Sequence, residues 1–452
     1  MLLYWSITFI ISVAAIIDWK RTVLAWLPIS MLFNPCVCLR YESPALSLVL
    51  AVNFVLVAIY IIKRKVHSTY PFMFKNSCVA YLISYLFSLI FSIAPFTIAL
   101  TETIRFFVNS FVVVFLFHKA LNDYRDISFF VKSALIVFVP IIMLGIFEGV
   151  FHDNPWLDFV YLTVPNAELI GTKMYYLPPF LTPSGDLSTR FGLVRCYSFF
   201  KIHIEFGCAC LFYLFTFLYY TSNNGAINLR IKNRYFMIVS LLCLIGVFLC
   251  NSKTPFVGLF FFVLSVYPLR KLLSVKAAFL FASFICLGLI VLSSYEGLFD
   301  TFFSLFDADK MEEGGGSSAE MRKTQFAVAF DFFMNNPLFG NGLRSLPILH
   351  KKNPDIWGAE SSWMIIPIQQ GIVGLIAYLI LYGEMYEHLS RSVGKRTSAL
   401  FLIGLMALET VTGPMSFYIF APSLVAIERY NQLKRFTPKK SILFFLTYLK
   451  NA

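Results

Sequence analysis

The chain is short of charge. Asp, Glu, Lys and Arg make up 14% of its 452 residues, against about 25% in soluble domains. A soluble enzyme surface cannot be built from so little. Ten-residue segments of alternating polar and apolar residues are absent too, which excludes a membrane β-barrel. The nine cysteines offer no Cys-x-x-Cys pair with nearby histidines. The pairs Cys36/Cys38 and Cys208/Cys210 are wrongly spaced for zinc, so the cysteines read as small buried hydrophobes. Only Cys196 falls in a long polar loop. No cluster of carboxylates suits Mg²⁺ or Mn²⁺, so no metal or other cofactor is expected. There is no internal repeat. The first apolar run, Leu2 to Ile17, meets "DWKR" without a small-residue cleavage site, so it reads as a retained helix and not a signal peptide.

What is present is apolar sequence in long pieces. Hydrophobic residues are 58% of the chain and the mean hydropathy is +0.73. Apolar runs of about 17–25 residues, the length of a bilayer-crossing helix, recur throughout, and backbone inside a bilayer must satisfy its own hydrogen bonds. Spans are expected near 2–17, 22–38, 44–62, 77–97, 99–117, 128–150, 203–220, 235–251, 254–269, 277–294, 363–386, 398–412 and 415–427. The first two are short, and one of them re-entrant would make the total twelve instead of thirteen. The fold class is all-α, a polytopic transmembrane bundle forming a single membrane domain over 1–452.

The net charge of +12 does not point to nucleic acid, because the basic residues cluster in short loops: 63–65, 229–234, 269–276, 390–396 and 434–440. By the positive-inside rule these are cytoplasmic. Two long loops, about 151–202 and 295–362, then share the external face. "EEGGGSS" at 312–318 is a flexible stretch, and "SILFFLTYL" near the C-terminus is too short to span and lies on the inner surface.

Polar groups gather at external span edges. Arg190, Arg195, Lys201, His203 and Glu205 flank one span; Lys253 marks the tight turn "NSKTP" between two others. Arg322, Lys323 and Arg344 follow in the second long loop. Phe326, Ala329, Phe330 and Phe333 recur at helical spacing, predicting an amphipathic helix over 319–334 on the outer leaflet. Glu102, Arg105 and Asn109 lie in or near the fifth span, with Glu102 and Arg105 on one helix face. Glu148 stands near the external end of the sixth. Arginine binds phosphate through two parallel hydrogen bonds and keeps its charge, so this set suits a diphosphate at headgroup level. Each residue also has a plainer reading: Arg190, Lys201, Lys323, Lys351 and Lys352 as solvated loop charges, His350 as surface, Glu102 and Arg105 as a structural pair. "GNG" at 340–342 follows no strand and is a tight turn, not a nucleotide fingerprint.

Three stretches resemble the O-antigen ligase and Wzy-type O-antigen or capsule polymerase superfamily. In "RCYSFFKIHIEFG", Arg195, Ser198, Phe200 and Gly207 fit one motif. "NSKTP" is similar to a Ser-Arg turn, with Lys253 in the basic position. "NPLFGNG … AESSWMIIPIQQGIVGLIAYL" resembles a "PLFGxG" turn followed by "GxxG" entering a span, matched by Gly340, Gly342, Gly371 and Gly374. Ligases of this group carry a histidine where this chain has Glu360, which fits the polymerase branch. Lysine for arginine at 253 keeps the charge but loses the bidentate fork.

The resemblance implies a GT-C-like glycosyltransferase in a bacterial inner membrane with its site facing the periplasm. Its substrates would be undecaprenyl-diphosphate-linked oligosaccharides, with membrane lipids around it and a chain-length regulator as a partner. Arg195, Lys253 and Arg322 would hold the diphosphate, with Arg105 and Arg344 behind them. Glu360 would be the general base, with Glu148, Glu205 and His350 as reserves. The alternatives are a ligase transferring the glycan to lipid A core or protein, a lipid-linked oligosaccharide flippase, and a structural subunit of a synthase complex. A transporter favours short loops, midplane charges and an inverted repeat, whereas this chain has two long external loops and most of its polar groups at one edge.

Overall fold

The computed structural model describes residues 2–33, 37–40, 46–63, 70–163, 189–190, 193–200, 202–222, 229–266, 319–356, 361–411, 413 and 417–436. The expected span 277–294, the stretch 312–318, the C-terminal segment 441–449, Lys201 and Glu360 lie outside them.

Helices dominate. In chain order they are α1 (Leu2–Ile17), α2 (Trp19–Ser30), α3 (Leu48–Lys63), α4 (Lys75–Ile90), α5 (Phe96–Phe107), α6 (Val113–Ala120), α7 (Tyr124–Phe151) and α8 (Pro155–Thr163). They continue as α9 (His203–Ser222), α10 (Asn233–Leu249), α11 (Lys253–Val266), α12 (Ala319–Asn335), α13 (Leu346–Lys352), α14 (Ser362–Val393), α15 (Lys395–Val411) and α16 (Phe417–Phe436). Two short antiparallel pairings, 38–40 with 46–47 and 189–190 with 193–194, are the only strands among the described residues. Phe96–Ala120, Tyr124–Phe151, His203–Thr221 and Ser362–Val393 are long and apolar enough to cross a membrane, and shorter apolar helices accompany them. The chain is an all-α polytopic membrane protein. A helix forms over the expected stretch 319–334 as α12, but without the expected apolar stripe facing one side: it buries Gln325 and Ala329 and exposes Phe326, Phe330 and Met334.

Local chemistry sets several boundaries. Asp123 caps α7 by accepting from Asp126 N at 2.8 Å, and the Asp126 carboxylate accepts from Asp123 N at 3.1 Å, a reciprocal capping box. A π-helical turn over 108–112 joins α5 to α6. There Asn109 accepts from Asn53 Nδ2 at 2.8 Å, and Asn53 accepts from Trp26 Nε1 at 2.8 Å, so polar groups at membrane depth satisfy one another.

Two expected spans need correction. The run 22–38 is not one helix: α2 starts earlier, capped by Asp18, and ends at Ser30. Its 12 residues reach about 18 Å at 1.5 Å each, short of a bilayer core of roughly 30 Å. The run 363–386 is not one straight helix either. Within α14, Gly371 has φ 64° and ψ −158°, and the chain turns back there. Trp363 and Tyr378 would stand about 22 Å apart along a straight helix, yet their ring centroids are 5.4 Å apart.

The break is filled by the loop before it. Asn341 N donates to Ile368 O at 2.7 Å and Gly342 N to Gln369 O at 3.0 Å; Ile372 N donates to Pro337 O at 2.8 Å and Val373 N to Leu338 O at 3.3 Å. Backbone groups that a broken helix leaves bare thus find partners in "PLFGNG", as buried backbone requires. Ser88 Oγ adds a bond to Gln369 O at 2.9 Å, and Asn341 Nδ2 one to Ile368 O at 3.2 Å.

The ends of the helices sort into two groups. At one, Lys63 donates to Ile16 O at 2.5 Å, Lys20 pairs with Asp126 at 2.6 Å, Ser128 bonds Leu229 O at 2.6 Å, and His388 meets Glu428 at 2.6 Å. The basic clusters at 229–234 and 390–396 belong to this end. At the other lie Glu148, the Arg195 turn, Lys253, and the 337–344 loop.

A side chain at 371 would put its Cβ 2.4 Å from Leu338 C and O. Gly371→Ala should therefore cost about 3 kcal/mol, from roughly 1–3 for the glycine-only backbone region and about 1–3 for overlap. Gly383 has nothing within 4 Å of such a Cβ, so Gly383→Ala should be neutral or slightly stabilising. Thermal unfolding of the two purified variants in detergent checks both.

Candidate functional site

The Arg195 turn is held from three sides. Cys196 N donates to Leu249 O at 3.1 Å, tying it to the end of α10. Tyr197 N and Ser198 N donate to Glu148 Oε2 at 2.9 and 2.8 Å, tying it to α7. Asn154 Nδ2 bridges Glu148 Oε2 at 3.0 Å and Ser198 O at 2.9 Å. Ser198, with φ 53°, anchors its hydroxyl on Ile141 O at 2.6 Å. Glu148 is fully buried. Its Oε2 is engaged with the turn's backbone. Burial, with the Glu148 charge adding to it, pushes the Cys196 thiol up, so Cys196 is an inert neutral thiol.

Lys253 opens α11, just past the end of α10 to which this turn is tied. Gly207 lets α9 approach closely: a Cβ there would meet the Cys250 sulfur at 2.5 Å and Pro255 at 2.7 Å. Arg195 lies within electrostatic reach of Cys250. Lys253 is buried at a helix N-terminus, where the peptide dipoles already supply partial positive charge. The lysine adds to that charge instead of cancelling it. Arg195, Lys253 and the first turn of α11 bring positive groups to one end of the bundle, a chemistry suited to an anion.

Arg105 and Arg344 form a different arrangement. Both bond the same atom, Glu102 Oε1, at 2.6 and 2.8 Å. Arg344 has φ 62° and sits in the loop that plugs the α14 break. In the same loop Gly342 has φ +89°, and a Cβ would fall 2.2 Å from Ser92 Cα. Ile93 N donates to Asn341 O at 3.0 Å. The loop is thereby pinned to the turn between α4 and α5, and Glu102 joins the two arginines into a trio of net charge near +1.

The other expected residues are more scattered. Arg322 is half-buried on α12, which packs on α14. Among the described residues it has no ion-pair partner. Glu205 is half-buried in the first turn of α9, and His350 in the last turn of α13. Lys323, Lys351 and Lys352 are exposed, as solvated loop charges would be. Arg190 belongs to the 189–190 pairing. Glu360 precedes Ser361, whose hydroxyl caps α14 by accepting from Trp363 N at 3.3 Å.

One residue escaped the sequence reading. Glu409 on α15 is buried and accepts from the hydroxyls of Tyr378 and Tyr382, the latter at 2.9 Å. Beside it, Trp363 Nε1 donates to Thr410 Oγ1 at 3.2 Å. Cys208 on α9 lies within electrostatic reach of Glu409. A lone acid inside the apolar run 398–412 was the available signal.

A family model described as O-antigen ligase matches residues 238–379. The stretch takes in Lys253, Arg322, Arg344, Glu360 and the broken helix, and leaves out Arg105, Arg195 and Glu409. No curated protein matches the chain. With the all-helical membrane architecture, the match supports placing the chain in the O-antigen ligase/polymerase superfamily, membrane enzymes of glycosyl-transfer type in polysaccharide biosynthesis.

Proposed function

We propose that the chain is a polysaccharide polymerase that joins polyprenyl-diphosphate-linked oligosaccharide repeat units at the periplasmic face of a bacterial inner membrane. The observation that carries this reading is the placing of half-buried Arg195 and buried Lys253, with the α11 N-terminus, at the end of the bundle away from the basic loops. That is where a lipid-borne diphosphate lies when its polyprenyl tail stays in the bilayer.

In the proposed reaction an acceptor-sugar hydroxyl oxygen attacks the anomeric carbon of the donor. The bond from that carbon to the diphosphate oxygen breaks, and undecaprenyl diphosphate leaves with the electron pair. Arg195, Lys253 and Arg322 stabilise the charge that develops on it. The hydroxyl proton passes to the Glu360 carboxylate. Direct displacement inverts the anomeric carbon. Arg105 and Arg344, shared with Glu102, stand as second-rank diphosphate ligands. The external loops about 151–202 and 295–362 hold the sugars, and a chain-length regulator is a fitting partner. Glutamate at 360, where ligases of this superfamily carry histidine, favours polymerase. The family description favours a second reading, transfer of a finished glycan to lipid A core or protein by the same donor chemistry.

Arg195→Ala and Arg322→Ala should each cut chain elongation by about 10²–10³, the usual loss for one oxyanion-type donor. Glu360→Gln should cut it by about 10²–10⁴. Gel ladders of surface glycan, normalised to the enzyme present in the membrane, read all three; wild-type ladders from both arginine variants would end the diphosphate assignment. Deleting the gene separates the two readings. A polymerase leaves a single repeat unit on the final acceptor, whereas a ligase leaves polymer on the polyprenyl carrier and none at the surface.

A further inference from the structure

We infer that Glu148 is the positioning residue for Arg195: its carboxyl oxygen Oε2 acts as an internal acceptor around which the 195–198 turn is wrapped, so that Arg195 is presented in one fixed place. This rests on the diphosphate-binding reading of Arg195.

The geometry is that of a small anion nest. Two successive backbone N–H groups, of Tyr197 and Ser198, point at one oxygen, as they do around bound anions. Ser198 holds a left-handed φ of 53°, which a serine does not keep without outside support. The support is complete: Glu148 takes its N–H, Asn154 its carbonyl, and Ile141 O its hydroxyl. Asn154 is itself fixed, because its Oδ1 accepts from Leu157 N at 3.2 Å at the start of α8. Three elements, α7, α8 and the end of α10, therefore agree on the place of a four-residue turn.

A residue kept only for stability would be built differently. Glu148 Oε1 has no hydrogen-bond partner among the described residues, and a buried carboxylate with one bare oxygen is costly. An apolar side chain against an apolar turn avoids that cost. What an apolar side chain cannot do is gather two N–H groups onto one point and so hold the turn open.

The test uses the purified full-length protein in detergent, with farnesyl diphosphate as the probe. Its apparent affinity is read from thermal stabilisation, beside the melting temperature of each variant alone. Arg195→Ala should abolish the probe's effect. Glu148→Ala should weaken apparent affinity by about tenfold or more, a loss typical of a displaced positioning group, and Asn154→Ala should lie between it and wild type. Glu148→Gln keeps an acceptor oxygen of the same reach and should recover most of the affinity. In elongation assays the same order should appear as a raised KM with a smaller change in kcat. If Arg195→Ala still responds to the probe as wild type does, the diphosphate reading itself fails. If Arg195→Ala loses the response while Glu148→Ala and Asn154→Ala both keep wild-type affinity, the positioning role is wrong. A Glu148→Gln variant as defective as Glu148→Ala would also overturn it, since only the acceptor geometry is being tested.

Discussion

The backbone exchange at Gly371 is the constraint on which the rest of this site depends. A helix broken inside a bilayer protein exposes carbonyls and amides that no water can serve. Here "PLFGNG" supplies the missing partners, two donors and two acceptors, and is in turn given its own shape by them. Neither the loop nor the bend is stable without the other. Once both are in place, the arm over 362–370 lies back along 372–378, and Trp363 reaches Tyr378 and Thr410. The same loop carries Arg344 to Glu102.

A second group of buried polar contacts organises the neighbouring part of the bundle. Close approach of α9 at Gly207 sets the "NSKTP" turn beside the Arg195 turn. Glu148 then fixes the Arg195 turn against α7. Both arrangements place polar atoms at depths where an unsatisfied group costs several kcal/mol. They persist because most of their atoms are matched, while Glu148 Oε1, without a hydrogen-bond partner among the described residues, belongs to the group that holds the Arg195 turn. Glu409 with its two tyrosines has the same character and lies within reach of the same helix.

Much of this was legible along the chain. Apolar run length located the helices because the bilayer permits no other regular structure for a single segment. The 3.6-residue rhythm of Phe326, Ala329 and Phe330 located α12. Glycines at 340 and 342 marked a turn. The candidate site was legible only in parts. Arg195 and Lys253 stood out as charges at span edges, but their shared neighbourhood is made by packing among α9, α10 and α11. Glu148 read as a spare base because the residues it bonds, 49 and 50 positions later, leave no local trace. Arg105 and Arg344 read as separate cations, and their common carboxylate joins them across more than two hundred residues.

The sequence by itself determined the class of molecule, the positions of most helices and the chemistry available at one edge of the membrane, because these follow from composition, run length and residue type. Only the tertiary structure decided that α2 stops short, that α14 folds back at Gly371, and that Glu148 serves a backbone turn. Those outcomes depend on which distant backbone groups meet a break or a buried charge. "SWMIIPIQQGIVGLIAYL" reads locally as one apolar run; the bend exists because a loop some thirty residues earlier satisfies it.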